Sequence, residues 1–241
     1  MAKSVKAYRD PKFINSKEAR ALRILAEYLE PKSRLDAAGI ADTIVFFGSA
    51  RLKGDSPHSK AAHDLAFRLT KWSMGLGENA RRFVVCSGGG PGIMEAANRG
   101  ASEAGGMNIG MSIALPREEA PNPYITRELA FHFHYFFMRK FWLAYMAKAV
   151  IVFPGGFGTF DELFEVLTLV QTKKMTKTMP IVLFGKDYWN EVVNFDALAR
   201  HGTISPADVD LVHRTDSVDD AYEYVVRHLA QEALDNPGAK L

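Results

Sequence analysis

The order of apolar segments along the chain is the feature that most restricts its fold. From Asp42 onward, short apolar runs of strand type alternate with stretches of helical spacing. The strand-type runs are residues 43–47, 83–86, 109–114, 149–153, 181–184 and, more weakly, 209–213; the helical stretches are residues 60–72, 92–104, 136–147, 159–171, 188–200 and 218–234. Strands separated by helices form parallel sheets that are covered on both faces. The sequence predicts an α/β fold with a Rossmann-like, doubly wound parallel sheet, and residues 131–135 are a candidate extra strand.

The first forty residues differ from the rest of the chain. Residues 16–30 have helical spacing, with Ser16 as a candidate N-cap and Pro31 as the residue that ends the helix. The apolar positions of this helix are Ala19, Leu22, Leu25, Ala26 and Leu29. We expect an N-terminal helical arm (residues 1–40), one main domain (residues 41–234) and a frayed tail (residues 235–241).

Composition excludes several classes of protein. The chain has 241 residues, of which 47% are hydrophobic and 24% charged, with a formal net charge of +2 and one cysteine, Cys86. This balance argues against nucleic-acid binding by bulk charge, and a lone cysteine excludes a disulfide-stapled secreted fold. The apolar stretch 131–153 contains Arg139, Lys140 and Lys148, which a membrane span would not tolerate. We expect a soluble cytoplasmic protein that binds no membrane and no nucleic acid.

Ligands of open parallel sheets bind at the carboxyl ends of the strands, and three loops at such positions are unusual here. The first loop is Gly-Ser-Ala-Arg (residues 48–51), in which Ser49 and Arg51 offer donors to an anion or a ribose. An ordinary turn explains this loop equally well. The second loop is Ser-Gly-Gly-Gly-Pro-Gly (residues 87–92), which opens a helix and allows a ligand to approach the backbone at Gly89 and Gly90. Glu95 in the first turn either complements the helix dipole or holds a ribose hydroxyl or a catalytic water.

The third loop, Pro-Gly-Gly-Phe-Gly-Thr (residues 154–159), again joins a strand to a helix. Backbone N–H groups at the start of this helix form an anion site for which a phosphate is the natural ligand. The candidate phosphate-binding residues are Gly155, Gly156, Gly158 and Thr159. A plain glycine turn with a threonine cap is the alternative. Asp161 and Glu162 follow in the first turn, where an ionised carboxylate is well placed to stabilise a cation that develops on the ligand.

Other candidate residues have simpler explanations. Arg139 and Lys140 either bind the ligand or extend as basic side chains from an aromatic helix. Cys86 is interpreted as a core residue, and His132 and His134 as packing residues rather than metal ligands. The dinucleotide pattern G-x-G-x-x-G fails at both glycine-rich loops, and neither a P-loop nor a G-x-S-x-G elbow is present. A nicotinamide-dependent oxidoreductase is therefore disfavoured.

Three motifs together resemble the LOG family of nucleoside 5′-monophosphate phosphoribohydrolases, long labelled lysine decarboxylase-like. They are the second glycine loop with its helix (residues 87–97), Met138-Arg139-Lys140, and residues 154–162, which match P-G-G-x-G-T-x-x-E in full. The strong part of the resemblance runs from about residue 42 to residue 171. It does not include the arm or the last forty residues, which resemble the longer bacterial members.

The resemblance implies a Rossmann-like nucleotide-binding catalytic domain that cleaves the N-glycosidic bond of a nucleoside 5′-monophosphate. The products would be a free base and ribose 5-phosphate. By the same resemblance, the catalytic residues are Arg139 and Glu162, and the phosphate lies on the third loop. We add Ser49, Gly89, Gly90, Glu95, Met138 and Lys140 as substrate-binding candidates. No cofactor and no metal is needed, and no motif supports the pyridoxal phosphate lysine of a decarboxylase. AMP and a cytokinin precursor are equally plausible substrates.

Two alternatives stay open at this point. A non-catalytic nucleotide or cofactor carrier on the same fold would use the same glycine loops without needing Glu162. The aromatic helix 133–147 has more large apolar groups than one buried face requires, and the family forms dimers or larger assemblies. We therefore expect a homodimer or a multiple of it.

Overall fold

The computed structural model of the chain describes residues 5–52, 54–77, 81–114 and 120–238. Residues 1–4 of the predicted arm and 239–241 of the predicted tail lie outside these ranges. Within them, seven strands form one parallel sheet in the order β4-β3-β2-β1-β5-β6-β7. The strands are β1 Thr43–Phe47, β2 Val84–Ser87, β3 Asn108–Ile113, β4 Ala130–Phe133, β5 Ala147–Val152, β6 Ile181–Phe184 and β7 His213–Thr215.

Helices cover both faces of the sheet, which confirms the predicted doubly wound α/β fold. One face carries α2 Arg20–Ala37, α5 Phe136–Met146, α6 Phe157–Gln171, α7 Lys186–Val192 and α8 Phe195–Arg200. The other face carries α3 Pro57–Met74, α4 Ile93–Glu103 and α9 Val218–His228. Short elements complete the described chain: α1 Pro11–Ile14, 3₁₀ turns at Ala7–Arg9, Arg127–Leu129 and Pro206–Leu211, and a π-helical turn at Leu229–Ala233.

Strand β1 shows why the strands are apolar throughout rather than alternating. Val45 and Phe47 pack into the core on the side of α5 and α6, whereas Ile44 and Phe46 pack into the core beneath α3, α4 and α9. Every residue of β1 is buried. A strand with helices on both sides needs apolar residues at every position, which is the pattern that the sequence displays.

The strand order places the topological switch point between β1 and β5. The chain moves outward from β1 through β2 and β3 to β4, and then returns to place β5 on the other side of β1. The first and third unusual loops follow these two strands. They meet directly, because the backbone N–H of Ser49 donates to the carbonyl of Pro154 at 3.0 Å. A crevice at such a reversal is the usual ligand site of this architecture.

Several predicted boundaries were wrong. The predicted helix 188–200 is two helices, α7 and α8, because Val193 has an extended backbone and Asn194 caps α8 by accepting from the N–H of Ala197. The weak strand predicted at 209–213 lies mostly in the 3₁₀ turn, and β7 begins at His213. The extra strand predicted at 131–135 is present as β4. Within the described part of the predicted tail, the carbonyl of Asn236 accepts from Lys148 Nζ at 2.9 Å.

The helix of the arm was also predicted wrongly at both ends. It begins at Arg20 without a cap from Ser16, and it continues through Pro31 to Ala37. A proline inside a helix has no N–H for the carbonyl four residues earlier, which here belongs to Glu27. The indole N–H of Trp142 on α5 donates to that carbonyl at 3.0 Å instead. The tertiary hydrogen bond therefore replaces the missing helical one, and the helix continues.

Glu27 joins the arm to α5 a second time. Its carboxylate accepts the backbone N–H groups of His134 at 2.8 Å and Tyr135 at 3.2 Å, where α5 begins. A carboxylate at this position satisfies free donors and complements the helix dipole. The arm thus packs on the main sheet as expected and fixes the start of α5. The domain division at residue 40 stays a prediction. No helix in the described ranges is long and apolar enough to cross a membrane.

The hydrogen bond between Trp142 and Glu27 is testable with a double-mutant cycle. Trp142→Phe leaves a partly buried carbonyl without its donor, so we expect a loss of about 1 kcal/mol in the free energy of unfolding. Pro31→Ala restores a backbone N–H that can donate to Glu27. In that background, Trp142→Phe should cost clearly less, as measured by urea denaturation followed by circular dichroism. An equal loss in both backgrounds would contradict this account of Pro31.

Candidate active site

Arg139 and Glu162, the two predicted catalytic residues, form a buried ion pair. Arg139 lies in the first turn of α5, and its Nη1 atom is 2.8 Å from Oε1 of Glu162. The prediction that Asp161 and Glu162 lie in the first turn of their helix was wrong, because α6 begins at Phe157 and both residues fall in its second turn. The guanidinium is also fixed to the sheet, because its Nε donates to the carbonyl of Met111 in β3 at 2.8 Å. The side chains remain 11% and 12% exposed, so solvent or a ligand can reach the pair. The structure therefore places a cation and a carboxylate together near the carboxyl end of the sheet.

The environment of Glu162 disfavours its ionised form. Burial raises the pKa of its carboxyl above the ordinary value of 4.5, and the neighbouring Arg139 counteracts this only in part. Cys86 lies close to the same pair and belongs to the hydrophobic core, and burial raises the pKa of its thiol. A thiol with a raised pKa is a poor nucleophile, as expected for a structural cysteine.

Gly88 in the second glycine loop leaves room for the guanidinium of Arg139. A Cβ atom at this position would lie 2.6 Å from Arg139 Nη2 and 2.8 Å from the sulfur of Met94. Gly89 requires glycine for two reasons, since its φ is +74° and a Cβ there would lie 2.6 Å from the hydroxyl of Ser112. The glycines of this loop therefore shape the site around the arginine and permit a tight turn.

A network of buried amides holds the second loop in shape. Ser87 Oγ accepts from the N–H of Gly89 at 3.0 Å and donates to Asn98 at 2.7 Å. Asn122 donates from its amide to Asn98 at 2.9 Å and to the carbonyls of Gly89 and Gly90, both at 3.2 Å. Asn98 in turn donates to Asn108 at 2.9 Å. These asparagines position the loop without being part of any recognised motif.

Sequence reasoning missed all three asparagines, and the reasons for Asn98 and Asn122 differ. Asn98 had a usable signal, because it is a polar residue on the buried face of α4 between Ala97 and Ala101. A buried polar side chain in a helix needs a partner, which points to a network. Asn122 lies in a segment without regular structure, and no periodicity indicates that it folds back onto the glycine loop.

The third loop is held at two carbonyls and is open at two glycines. The carbonyl of Pro154 accepts from Ser49, and that of Gly155 accepts from the hydroxyl of Tyr188 on α7. The buried side chain of Thr159 lies against Gly155, where a Cβ would collide with it. Gly156 and Gly158 have open space where a side chain would be. The start of α6 therefore has a fixed backbone and accessible N–H groups, as an anion site requires.

The other predicted binding residues lie in different surroundings. Met138 is buried in the hydrophobic core, where it anchors α5. Lys140 is engaged with Asp161 at 2.9 Å and Glu165 at 3.0 Å, so its charge is already compensated. The hydroxyl of Ser49 accepts from the N–H of Arg51 at 3.1 Å, while its carbonyl accepts from Ile93 at 3.1 Å. Their roles in binding a ligand stay predictions.

Glu95 lies in the first turn of α4, as predicted. It lines a small cavity of about 150 Å³ together with Gly54, Ser59, Gly92, Ala96 and Arg99. Gly92 joins this cavity to the first loop, since its φ is +70° and a Cβ there would collide with the backbone of Ser49 and Ala50. No group of three or more residues able to hold a metal ion occurs among the residues that the structure describes.

The fit between Gly88 and Arg139 predicts unequal effects of two glycine substitutions. Gly88→Ala forces the buried guanidinium away from Glu162 and Met111, so we expect a loss of about 1–3 kcal/mol in stability. Gly156→Ala is the matched control. Gly156 has a φ of −92°, and a Cβ added there would have no other atom within 4 Å. It should change the free energy of unfolding by less than about 0.5 kcal/mol. Equal effects in chemical denaturation would contradict the described position of Arg139.

Comparisons with known proteins agree with the motifs. The family model described as "Possible lysine decarboxylase" matches residues 94–225. The chain is 30% identical over 172 residues to cytokinin riboside 5′-monophosphate phosphoribohydrolase LOG3 of Arabidopsis thaliana, covering 70% of this chain and 74% of that protein. It is 29% identical over 202 residues to LOG4 of the same plant, covering 78% and 87%.

Solved structures share the fold. The X-ray structure of TM1055 is 26% identical and covers 79% of this chain and 99% of its own, with a TM-score of 0.52. The molybdenum cofactor binding protein of Rippkaea orientalis has a TM-score of 0.53 at 19% identity, covering 78% of this chain and 96% of its own. At that identity the likeness shows the fold alone. The matched family model and relatives, together with the complete P-G-G-x-G-T-x-x-E motif, show that this chain belongs to the LOG family.

Proposed function

We propose that this protein hydrolyses the N-glycosidic bond of a nucleoside 5′-monophosphate to a free base and ribose 5-phosphate. The observation that carries the proposal is the buried pair of Arg139 and Glu162, set beside the second glycine loop and in the first turns of α6. The names of the relatives LOG3 and LOG4 describe this reaction for cytokinin riboside 5′-monophosphates. AMP and a cytokinin riboside monophosphate are the two substrates that we propose to compare.

The arrangement suits cleavage at C1′ of the ribose. Departure of the base leaves an oxocarbenium-like centre, which the carboxylate of Glu162 would stabilise. Water then adds to C1′ and releases one proton, and the departed base takes up one proton, so the net reaction consumes one water. Arg139 stays protonated and is a poor general acid, so it would assist the leaving base by hydrogen bonding and charge. The 5′-phosphate, bound at the start of α6, would hold C1′ close to the carboxylate.

The pair would be efficient because it is held in place before the substrate binds. Arg139 contacts β3 through Met111 and α6 through Glu162, so neither charged group needs to reorganise during the reaction. Burial also places the two charges where their electrostatic effect on the substrate is larger than in water. The raised pKa of Glu162 leaves its carboxylate reactive towards a developing positive charge.

Two other activities receive less support. Lys140 next to Arg139 is held as an ammonium between two carboxylates, which disfavours it as the pyridoxal phosphate lysine of a decarboxylase. A non-catalytic carrier is the second candidate, since the molybdenum cofactor binding protein of Rippkaea orientalis shares the fold. A carrier would have no need of the Glu162 carboxylate, which gives a direct experimental distinction.

The decisive experiment is an assay of free base and ribose 5-phosphate with a panel of nucleoside monophosphates and the matching nucleosides. We expect turnover of at least one monophosphate and none of its nucleoside. Glu162→Gln and Arg139→Met should each lower kcat by about 100-fold or more, because each removes a charge from the transition state. Glu165→Gln is the matched control on the same helix and should change kcat less than about 10-fold. Binding of monophosphates without cleavage, unchanged in Glu162→Gln, would favour the carrier instead.

The raised pKa of Glu162 predicts the pH dependence of the reaction. The carboxylate must be ionised to stabilise the cation, so kcat/KM should fall as the pH decreases through the pKa of Glu162 in the free enzyme. Because burial raises this pKa, the acid limb should have its midpoint above the ordinary value of 4.5. Initial rates across pH, with circular dichroism to confirm folding, measure this midpoint. A midpoint at or below 4.5 would contradict the described environment of Glu162.

A further inference from the structure

Two exposed phenylalanine side chains stand at the beginnings of the helices that carry the ion pair. Phe136 is the first residue of α5 and is 53% exposed, and Phe157 is the first residue of α6 and is 96% exposed. Among the residues that the structure describes, neither ring packs against another aromatic ring, whereas the half-exposed Phe137 packs against Tyr135 with centroids 5.6 Å apart. A ring left in water is stabilised by any ligand that covers it. We call Phe136 and Phe157 the phenylalanine pair.

Helical spacing places both rings on the sides of α5 and α6 that are joined by ion pairs. Phe136 precedes Lys140 by four residues, so the two side chains share one face of α5. Phe157 precedes Asp161 by four residues and shares a face of α6 with it in the same way. Lys140 Nζ is 2.9 Å from Asp161, so these two faces meet between the helices. Each ring therefore lies one helical turn before the ion pairs, on the side towards which helical side chains lean.

We propose that the phenylalanine pair holds the base of the substrate by stacking, so that the site binds a nucleotide in preference to a sugar phosphate alone. The inference rests on the proposed function and adds the residues that would recognise the base. Cleavage at C1′ requires the base to lie next to Arg139 and Glu162. Phe136 precedes Arg139 by three residues, which makes them neighbours on the surface of α5. Phe157 adjoins the candidate phosphate site, because both lie in the first turn of α6.

The polar side chains beside the phenylalanine pair are engaged with one another, which favours recognition of the base through its face. Lys140 contacts Asp161 and Glu165, and the guanidinium of Arg139 contacts Glu162. Reading the edge of a base requires free donors and acceptors, whereas stacking requires only an aromatic face. Every nucleobase has such a face, so stacking tolerates different bases. We therefore expect the phenylalanine pair to select for the presence of a base rather than for one particular base.

Calorimetric titration with AMP, GMP, CMP, UMP and ribose 5-phosphate tests the proposal. Glu162→Gln serves as the background, so that the ligand is not consumed. In this background, Phe136→Ala and Phe157→Ala should each raise the Kd of the nucleotides about 5-fold or more, because each removes an aromatic stacking surface. The Kd of ribose 5-phosphate, which has the phosphate and the sugar but no base, should change less than about 2-fold.

Two further variants separate stacking from general disturbance of the site. Phe137→Ala removes a neighbouring ring of similar exposure, 50%, from a different side of α5. It should leave every Kd within about 2-fold of the background. Phe157→Tyr keeps an aromatic face and should retain nucleotide binding. Equal losses for nucleotides and ribose 5-phosphate, or nucleotide binding that is unchanged in both alanine variants, would overturn the proposal.

Turnover distinguishes a failure of this inference from a failure of the proposed function. With Glu162 present, Phe136→Ala and Phe157→Ala should raise KM and lower kcat less than Glu162→Gln does, because stacking acts on the bound substrate as well as on the transition state. Base-dependent binding by the phenylalanine pair without cleavage by the parent would refute only the hydrolase. Cleavage by the parent, with Phe136→Ala and Phe157→Ala behaving like Phe137→Ala, would refute only the phenylalanine pair. A parent that binds none of the nucleotides would refute both.

Discussion

The buried guanidinium of Arg139 is the group on which the candidate site depends. It connects α5, which carries it, with β3 through Met111, with α6 through Glu162, and with the second glycine loop through the space left by Gly88. A buried charge is stable only when it is paired and hydrogen-bonded. Each contact therefore contributes both to the stability of the fold and to the geometry of the site.

The arm matters because α5 depends on it. Glu27 binds the N–H groups at the start of α5, and the carbonyl of the same residue accepts from Trp142 at the middle of that helix. Pro31 makes the second contact necessary, since its missing N–H leaves this carbonyl without a helical partner. The arm lies outside the motifs of the family, yet it orients the helix that carries Arg139. Its contacts through Glu27 therefore help to position α5.

The sequence was sufficient for the fold class because alternating apolar runs reflect burial on both faces, as in β1. It was insufficient wherever a distant residue supplied a partner. Pro31 was expected to end its helix, and only the position of Trp142 explains why it does not. The glycines and the Arg139–Glu162 candidates were found from local motifs and resemblance. Asn122 was missed, because the segment that carries it folds back onto the glycine loop and shows no periodic pattern in the sequence that would indicate this contact.

A net charge of +2 suits a site whose electrostatics are local. An anion bound at the start of α6 would interact with the backbone N–H groups there. The carbonyls of Pro154 and Gly155, just before this helix, are held in place by hydrogen bonds from Ser49 and Tyr188. Such dipoles act within about the first turn of the helix, so a site there needs no basic surface around it. Lys140 fits this view, since its charge is compensated by Asp161 and Glu165 rather than directed at a ligand. Selectivity for a phosphate would then come from the positions of the backbone N–H groups at the start of α6. Arg139 and Glu162 would remain available to act on the glycosidic bond.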